Sequence, residues 1–386
     1  MKILFTTSFY PPFHVGGACT HVKYLAEALV SEGHEVHVMF SMDAYELKRH
    51  GVQRMPKNWN GVKVHTLKSP LGKLEPILNY VLGTQKYTYN YFMNLVQKEK
   101  FDVVHHHNIS LLGYNILKKL GNYKNMYTAH DYWLICHKYN YSKFGKICNR
   151  RTCFSCTLAH AKPYLFHRLG NEFKTAIKDI DLIIAPSNFM RNELKKYLKN
   201  KIEVIYNFVP EPPRNLPKIA YEDYYLFVGQ LENHKGILEL IELFMKNKKQ
   251  LLIIGKGSLE EQIRKRITTS SNIKYLGWKN NIQILTFMKN ANALILPSEW
   301  AENMPNVVLE AMSVGCPFIC SDMGGLKELA KLTCSGLMFP TKDLNKLNSI
   351  LKKFRNQEYS KQKLLKTYCE FFHKKAFLKK YYHLIK

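Results

Sequence analysis

The chain has 386 residues, 46% of them hydrophobic, which is enough to bury substantial cores and excludes a disordered or fibrous protein. Lys and Arg number 57 against 30 Asp and Glu, and the formal charge of +27 draws nucleic acid, anionic lipid or phosphorylated small molecules without choosing among them. The opening "MKILFTTSFYPP" reads as a strand with a proline stop rather than a signal, and no apolar run approaches the ~18 residues of a spanning helix, so a cytoplasmic location is expected. Nine cysteines in such a chain point to reduced thiols or a metal site more than to a disulfide framework.

In chain order, the strand "KILFTT" leads into a loop with Gly16 and Gly17. Val22, Leu25, Ala26, Leu29 and Val30 follow at helical spacing, with Gly33 as the stop. The strand candidates "EVHVMF", "FDVVHHH", "NMYTAH", "LIIAPS" and "EVIYN" are separated by helix-length segments, the pattern of a parallel sheet covered by helices on both faces. This describes residues 1–208. The proline-rich "VPEPPRNLPK", 209–218, then reads as an interdomain linker.

The alternation resumes over residues 219–358 with "YLFVGQ", "QLLIIG", "IKYLG", "ANALILPS" and "PFICSD". These strands end in glycine or small polar residues, and open α/β sheets bind ligands outside the carboxyl ends of their strands. Two such domains joined by a linker make a cleft. Residues 359–386, rich in Lys and aromatics, are expected to form one or two terminal helices able to pack back on the N-terminal domain.

Several residues carry chemistry of their own. Gly16 and Gly17, between a strand and a helix, make either a tight turn or a place where backbone amides approach a phosphate. Lys235 follows a strand and a short loop, as a phosphate contact or a solvated surface lysine. His130, with Asp131 beside it, ends a strand, as do His105 and His107; each reads either as a structural histidine or as one lining a site. "WAENMPNVVLEAM" holds Glu302 in a loop and Glu310 more than a turn inside the next helix, with the amides of Asn306 and Val307 at the helix start. This is either an ordinary acidic helix start or two contacts to different parts of one ligand. Cys136, Cys148, Cys153 and Cys156 fall as C-x11-C-x4-C-x2-C, open to a structural zinc, to free thiols or redox pairs, or to an iron–sulfur cluster.

The ordered motifs "FYPPFHVGGACTHVKYLAEALVSEGHEVHV", "FDVVHHHN", "TAHDYW", "FVGQLENHKGI", "IIGKGS", "PSEWAENMPNVVLEAM" and "CSDMGGLKEL" together resemble the retaining glycosyltransferases of the GT-B fold, family 4. The resemblance implies an α/β protein of two Rossmann-like parallel-sheet domains facing each other across a cleft. It implies that the Gly16–Gly17 loop closes over the donor diphosphate, that Lys235, Asn306 and Val307 contact phosphate, and that Glu310 takes the ribose hydroxyls. His130 and Glu302 would contact the transferred sugar, while Asp131 orients His130 or an acceptor hydroxyl.

Gln230 stands where the family normally has an arginine, so one cationic contact is replaced by an amide. The family resemblance also implies a UDP- or GDP-sugar donor, a lipid-linked or polysaccharide acceptor, retention by a same-face mechanism, and no divalent ion for transfer. No nucleic-acid motif accompanies the charge, so no nucleic-acid partner is expected. A basic face around Lys48, Arg49, Arg54 and Lys57 suggests a peripheral stay on an anionic membrane. Two alternatives stand beside this reading: an inactive GT-B scaffold that binds anionic glycan or nucleic acid, and a GT-B sugar-nucleotide epimerase.

Overall fold

Residues 3–5 and 36–40 are apolar at most successive positions, and a strand apolar on both faces needs cover on both. The computed structural model, which describes residues 1–13, 16–48, 57–143, 146–149, 152–333, 337–354 and 360–386, supplies that cover with helices. The first sheet runs, edge to edge, Ile202–Val204, Leu182–Ala185, Lys124–Thr128, Val103–His106, Lys2–Thr7, Glu35–Ser41, Val62–Leu67 and Asn58–Trp59. Its pairings are parallel except the last, and Ile3 lies opposite both Val36 and Val103. The second sheet, wholly parallel, runs Ile273–Tyr275, Gln250–Ile254, Tyr224–Val228, Ala293–Leu296, Phe318–Ser321 and Met338–Phe339.

Each sheet has a switch point. Lys2–Thr7 sits between Glu35–Ser41 and Val103–His106, and Tyr224–Val228 between Gln250–Ile254 and Ala293–Leu296, so the connection leaving Lys2–Thr7 and that leaving Val103–His106 run to opposite sides, as do those leaving Tyr224–Val228 and Ala293–Leu296. The loops beyond their carboxyl ends therefore splay apart and leave room for a ligand. Those loops carry Gly16 and Gly17 in one sheet and Gln230 and Lys235 in the other.

The chain divides into two units: residues 1–141, 149–205 and 380–386, and residues 142–148 and 206–379. The boundary passes through the last helix, Lys374–Ile385. In the second unit the proline-rich stretch is irregular but tied down: Tyr368 donates to the Val209 carbonyl at 3.0 Å and His373 pairs with Glu211 at 2.5 Å. Its core gathers Phe227, Leu240, Phe244, Ile253, Ile295 and Phe339 between sheet and helices. Among the described residues, no helix is long and apolar enough to cross a membrane. Arg49, Arg54 and the side chain of Lys48, named above for a basic face, lie outside the described residues.

Buried histidines are a recurrent feature of the first sheet. His37 shares a 2.8 Å hydrogen bond with His65 and stacks on it, while His37 Nε2 meets Glu35 at 3.0 Å. His106 pairs with Thr6 at 2.7 Å. Burial lowers the pKa of each, to about 4 for His65 and about 3 for His106. A folded-state value below the unfolded one means that only the unfolded chain takes up these protons as pH falls from the ordinary histidine range. Stability is therefore expected to decline from about pH 6.5 downward. Thermal midpoints across pH 7.5 to 4.5 check this, and a flat profile contradicts it.

Candidate functional site

In the second unit, Lys235 ends the short turn Asn233–Lys235 that follows Tyr224–Val228, and the helix Ile237–Asn247 begins just after Gly236. Its ammonium donates to Glu302 and lies 5.1 Å from the centroid of the Trp300 ring. Glu302 is buried and also accepts from Ser298 Oγ at 2.9 Å. Burial opposes its ionisation, but the charge and hydrogen bond of Lys235 outweigh it, with help from Ser298, and hold its pKa below the ordinary value. Lys235 and Glu302, read separately in the sequence, are thus one ion pair.

The backbone behind Glu302 is equally constrained. Gly325 N donates to the Glu302 carbonyl at 2.6 Å. A Cβ on Gly324, which has φ of 57°, would come 2.4 Å from that oxygen, and one on Gly325 1.6 Å from the Asn303 oxygen. The Gly324–Gly325 pair is packed directly under the glutamate loop.

Beyond Pro305, whose φ of −71° suits the helix entry, the helix Asn306–Ser313 carries Glu310. The proline precedes the first turn rather than occupying it. Asn281, first residue of the helix Asn281–Asn290, donates to Glu310 Oε1 at 3.0 Å. Burial raises the Glu310 pKa to about 7, with the Asn281 amide only partly offsetting it. Asn306 and Val307 occupy the first turn, where amides point outward along the helix axis. Gln230 is exposed beyond the strand end.

In the first unit, Gly16, with φ of 85°, sits at the N-cap of the helix Gly17–Ser31, and both glycines are exposed. No acidic side chain occupies the first turn of that helix. His130 follows Lys124–Thr128 and its Nε2 meets His107 Nδ1 at 2.9 Å. His21, from the glycine helix, lies edge-on to His130 at 5.4 Å. His105 packs at a tilt against His107, 4.3 Å between ring centroids, and bonds Tyr381 at 3.0 Å and Thr128 at 2.8 Å. Burial, reinforced by neighbouring histidines, keeps the pKa of His105, His107 and His130 well below the ordinary value, so these rings are neutral.

Asp131 accepts from Trp133 N at 2.8 Å. Burial raises its pKa to about 6. Arg168, buried beneath Trp133 and Phe173, donates to the Trp133 carbonyl and clamps the same turn. His21, Arg168, Trp300 and Asn281, each acting through a partner distant in the chain, were not singled out in the sequence, nor was Ser298, whose partner Glu302 lies four residues on.

Cys136, Cys153 and Cys156 belong to the first unit, the last two on the helix Cys153–Ala159; Cys148 falls in the short stretch 142–148 grouped with the second. Among the described residues, the group of three donors whose ligand atoms fall within 4.8 Å of one another is Glu35, His37 and Glu99, and the three first-unit thiols form no such group. The carboxylates of the Glu35 group are instead engaged by Lys2 and Lys63.

Residues 15–211 match the family model Glycosyltransferase Family 4, and residues 211–369 match Glycosyl transferases group 1. An uncharacterized 42.6 kDa protein in the cps region of Klebsiella pneumoniae is 25% identical over 401 residues, covering 95% of this chain and 100% of that protein. Sucrose-phosphate synthase from Thermosynechococcus elongatus superposes with a TM-score of 0.77 at 18% identity, covering 100% and 98% of the two chains. Anabaena Alr3699/HepE, solved in complex with UDP, superposes with a TM-score of 0.68 at 17% identity, covering 100% and 99%.

Removing one partner of a buried pair leaves the other charge uncompensated, so Lys235→Ala should lower stability by about 2–4 kcal/mol. Adding Glu302→Gln should recover most of that loss. Urea denaturation of the two single variants and the double variant measures the coupling, and purely additive effects would contradict the pairing.

Proposed function

The chain belongs to glycosyltransferase family 4, and from that premise we propose that it moves a hexose-type sugar from a nucleotide-sugar donor to a lipid-linked or polysaccharide acceptor with retention of configuration. The observation that carries this reading is the stretch 300–312, which sets Glu302 on Lys235 and Glu310 on Asn281. A diphosphate is the natural competitor for the Lys235 ammonium, and the Glu302 carboxylate so released accepts hydrogen bonds from sugar hydroxyls. Glu310, held at one oxygen by Asn281, is suited to the ribose diol. The amides of Asn306 and Val307, those at Gly16 and Gly17, and the Gln230 side chain complete the donor contacts.

In the proposed reaction the bond from the anomeric carbon to the donor phosphate oxygen breaks, and a bond to the acceptor oxygen forms on the same face. The acceptor proton passes to the departing phosphate oxygen. Neutral His130 contributes a hydrogen bond to the sugar, and Asp131 holds the turn that presents it. Lys235 and the helix-start amides stabilise the leaving diphosphate, so the transfer requires no divalent ion. The UDP bound to the Anabaena protein supports a uridine donor, with a GDP-sugar as the other member of the expected class. The Klebsiella relative's cps region supports a polysaccharide acceptor. The family matches do not favour an inactive binding scaffold or an epimerase.

Incubation with UDP-, GDP- and ADP-sugars, read by nucleotide release and thermal shift, tests the proposal. Glu310→Ala should weaken donor binding about tenfold or more, while Glu302→Ala should lower turnover about a hundredfold with a smaller effect on binding. The reading fails if no sugar nucleotide is bound or turned over and Glu310→Ala changes nothing. An inverted anomer by NMR would reject retention alone.

The raised pKa of Glu310 adds a pH signature. Accepting both ribose hydroxyls requires the carboxylate, so donor affinity should rise with pH up to about 7 and then level off. Glu310→Gln should flatten that profile, measured by titration calorimetry from pH 5.5 to 8.5.

A further inference from the structure

The helix Leu74–Leu82 is arranged inside out. Its polar residues face inward: Glu75 is 2% exposed and accepts from Thr88 Oγ1 at 2.7 Å and Ser69 Oγ at 3.1 Å, while Asn79, 1% exposed, donates to Thr88 at 3.0 Å. Leu74, Ile77, Val81 and Leu82 face solvent, Leu74 at 58% exposure. A surface helix of a globular domain normally turns its apolar stripe to the core.

The outward apolar surface continues onto neighbouring elements of the same unit. His167 donates from Nδ1 to the Val81 carbonyl at 3.1 Å, which joins the turn Phe166–Leu169 to this helix. Tyr164 lies 5.0 Å from the Phe166 ring and 5.5 Å from the Phe154 ring, linking that turn to the helix Cys153–Ala159. Phe166 is 66% exposed and Leu158 is 74% exposed. Large apolar side chains joined across three elements form a patch of the kind that monomeric soluble proteins avoid unless it serves an interaction.

The charge around this patch is predominantly basic, although Lys68 is paired with Glu46 and the exposed Glu172 follows the Phe166–Leu169 turn. Lys68, Lys73, Lys86 and Lys162 are exposed in the segments that build it. Over residues 68–87 the one acidic residue is the buried Glu75, and residues 152–171 contain none. Apolar side chains flanked by Lys73, Lys86 and Lys162, with the exposed Glu172 at one border, match an anionic lipid surface: the side chains enter the acyl boundary while the ammoniums meet headgroup phosphates. A second copy of the chain fits less well, because self-association of this face would bring the same lysines together in a protein of charge +27.

We infer that this face docks the protein peripherally on an anionic bilayer, through the outward side of Leu74–Leu82 together with the Phe154–Leu158 and Phe166–Leu169 segments. The site differs from the basic face expected around Arg49 and Arg54, and the inference is independent of which sugar is transferred.

Flotation with phosphatidylcholine vesicles, alone or with phosphatidylglycerol, tests it. The native chain should float with the anionic vesicles and release as salt is raised. Leu158→Ser with Phe166→Ser, and separately Lys73→Glu with Lys86→Glu, should each weaken that binding about tenfold or more. Circular dichroism, the thermal midpoint and the donor-induced thermal shift should stay unchanged in both variants, which separates lost docking from lost folding or lost donor binding. Absence of flotation, or flotation undiminished in both variants, overturns the inference. So does light scattering showing a dimer that the apolar substitutions dissociate while vesicle binding persists.

Discussion

Glu302 remains charged in a buried loop because the Lys235 ammonium lies against it. Much of the second unit's ligand-facing end follows from that contact. A buried carboxylate needs its remaining hydrogen bonds met, and Ser298 supplies one while Ser321 Oγ holds the Ser298 carbonyl at 2.6 Å. The loop must also come close enough for the pair to form, which is why glycine stands at 324 and 325, where a side chain would strike the backbone of Glu302 and Asn303. Trp300 lies over the lysine from one side, so a hydrophobic ring and a carboxylate together fix a side chain that would otherwise roam in solvent. The two charges largely cancel, and on the proposed reading the donor diphosphate competes for the lysine.

The alternation of apolar strands with helices was readable because parallel strands buried on both faces cannot hide their composition. The runs "KILFTT", "EVHVMF", "YLFVGQ" and "QLLIIG" all coincide with strands of the two sheets. The strand Val62–Leu67 escaped for the converse reason: near the sheet edge it buries Val62, Val64 and Leu67 but leaves Lys63 outside, so its composition resembles the basic segment before it. The hairpin of Ser142–Lys143 and Lys146–Ile147 has two-residue strands, too short for any periodicity to register. Met338–Phe339 is equally short and joins the sheet at its edge by pairing with Phe318–Ser321.

The site was legible as residue types and illegible as partnerships. Glycine beside a helix start, a lysine after a strand and glutamates around a proline are local signals. Contacts between residues 235 and 302, between 281 and 310, and between 107 and 130 depend on which strand ends the fold places side by side. The histidines illustrate the gap: "VVHHHN" does not disclose that His105 reaches Tyr381 near the end of the chain while His107 reaches His130. Asp131 and Arg168 show a related limit. A carboxylate next to a histidine suggests an orienting partner, but here its nearest obligation is the Trp133 amide, and a distant arginine secures the opposite side of that turn.

Burial by itself raises the pKa of both glutamates in this short stretch of chain, and their partners drive them apart. Glu302 has a cation as its partner, and its pKa is lowered; Glu310 has a neutral amide, and its pKa rises to about 7. Environment, not residue type, separates them. A carboxylate locked to an ammonium cannot readily donate a proton, so Glu302 is suited to accepting hydrogen bonds and stabilising positive charge rather than to acting as a general acid. On the proposed donor reading, a Glu310 that is neutral near pH 7 lessens repulsion toward an anionic nucleotide and ionises once hydroxyl donors repay the loss of water around the carboxylate. The division between a permanently charged contact and one charged on demand therefore follows from a single difference: a lysine faces one carboxylate and an asparagine the other.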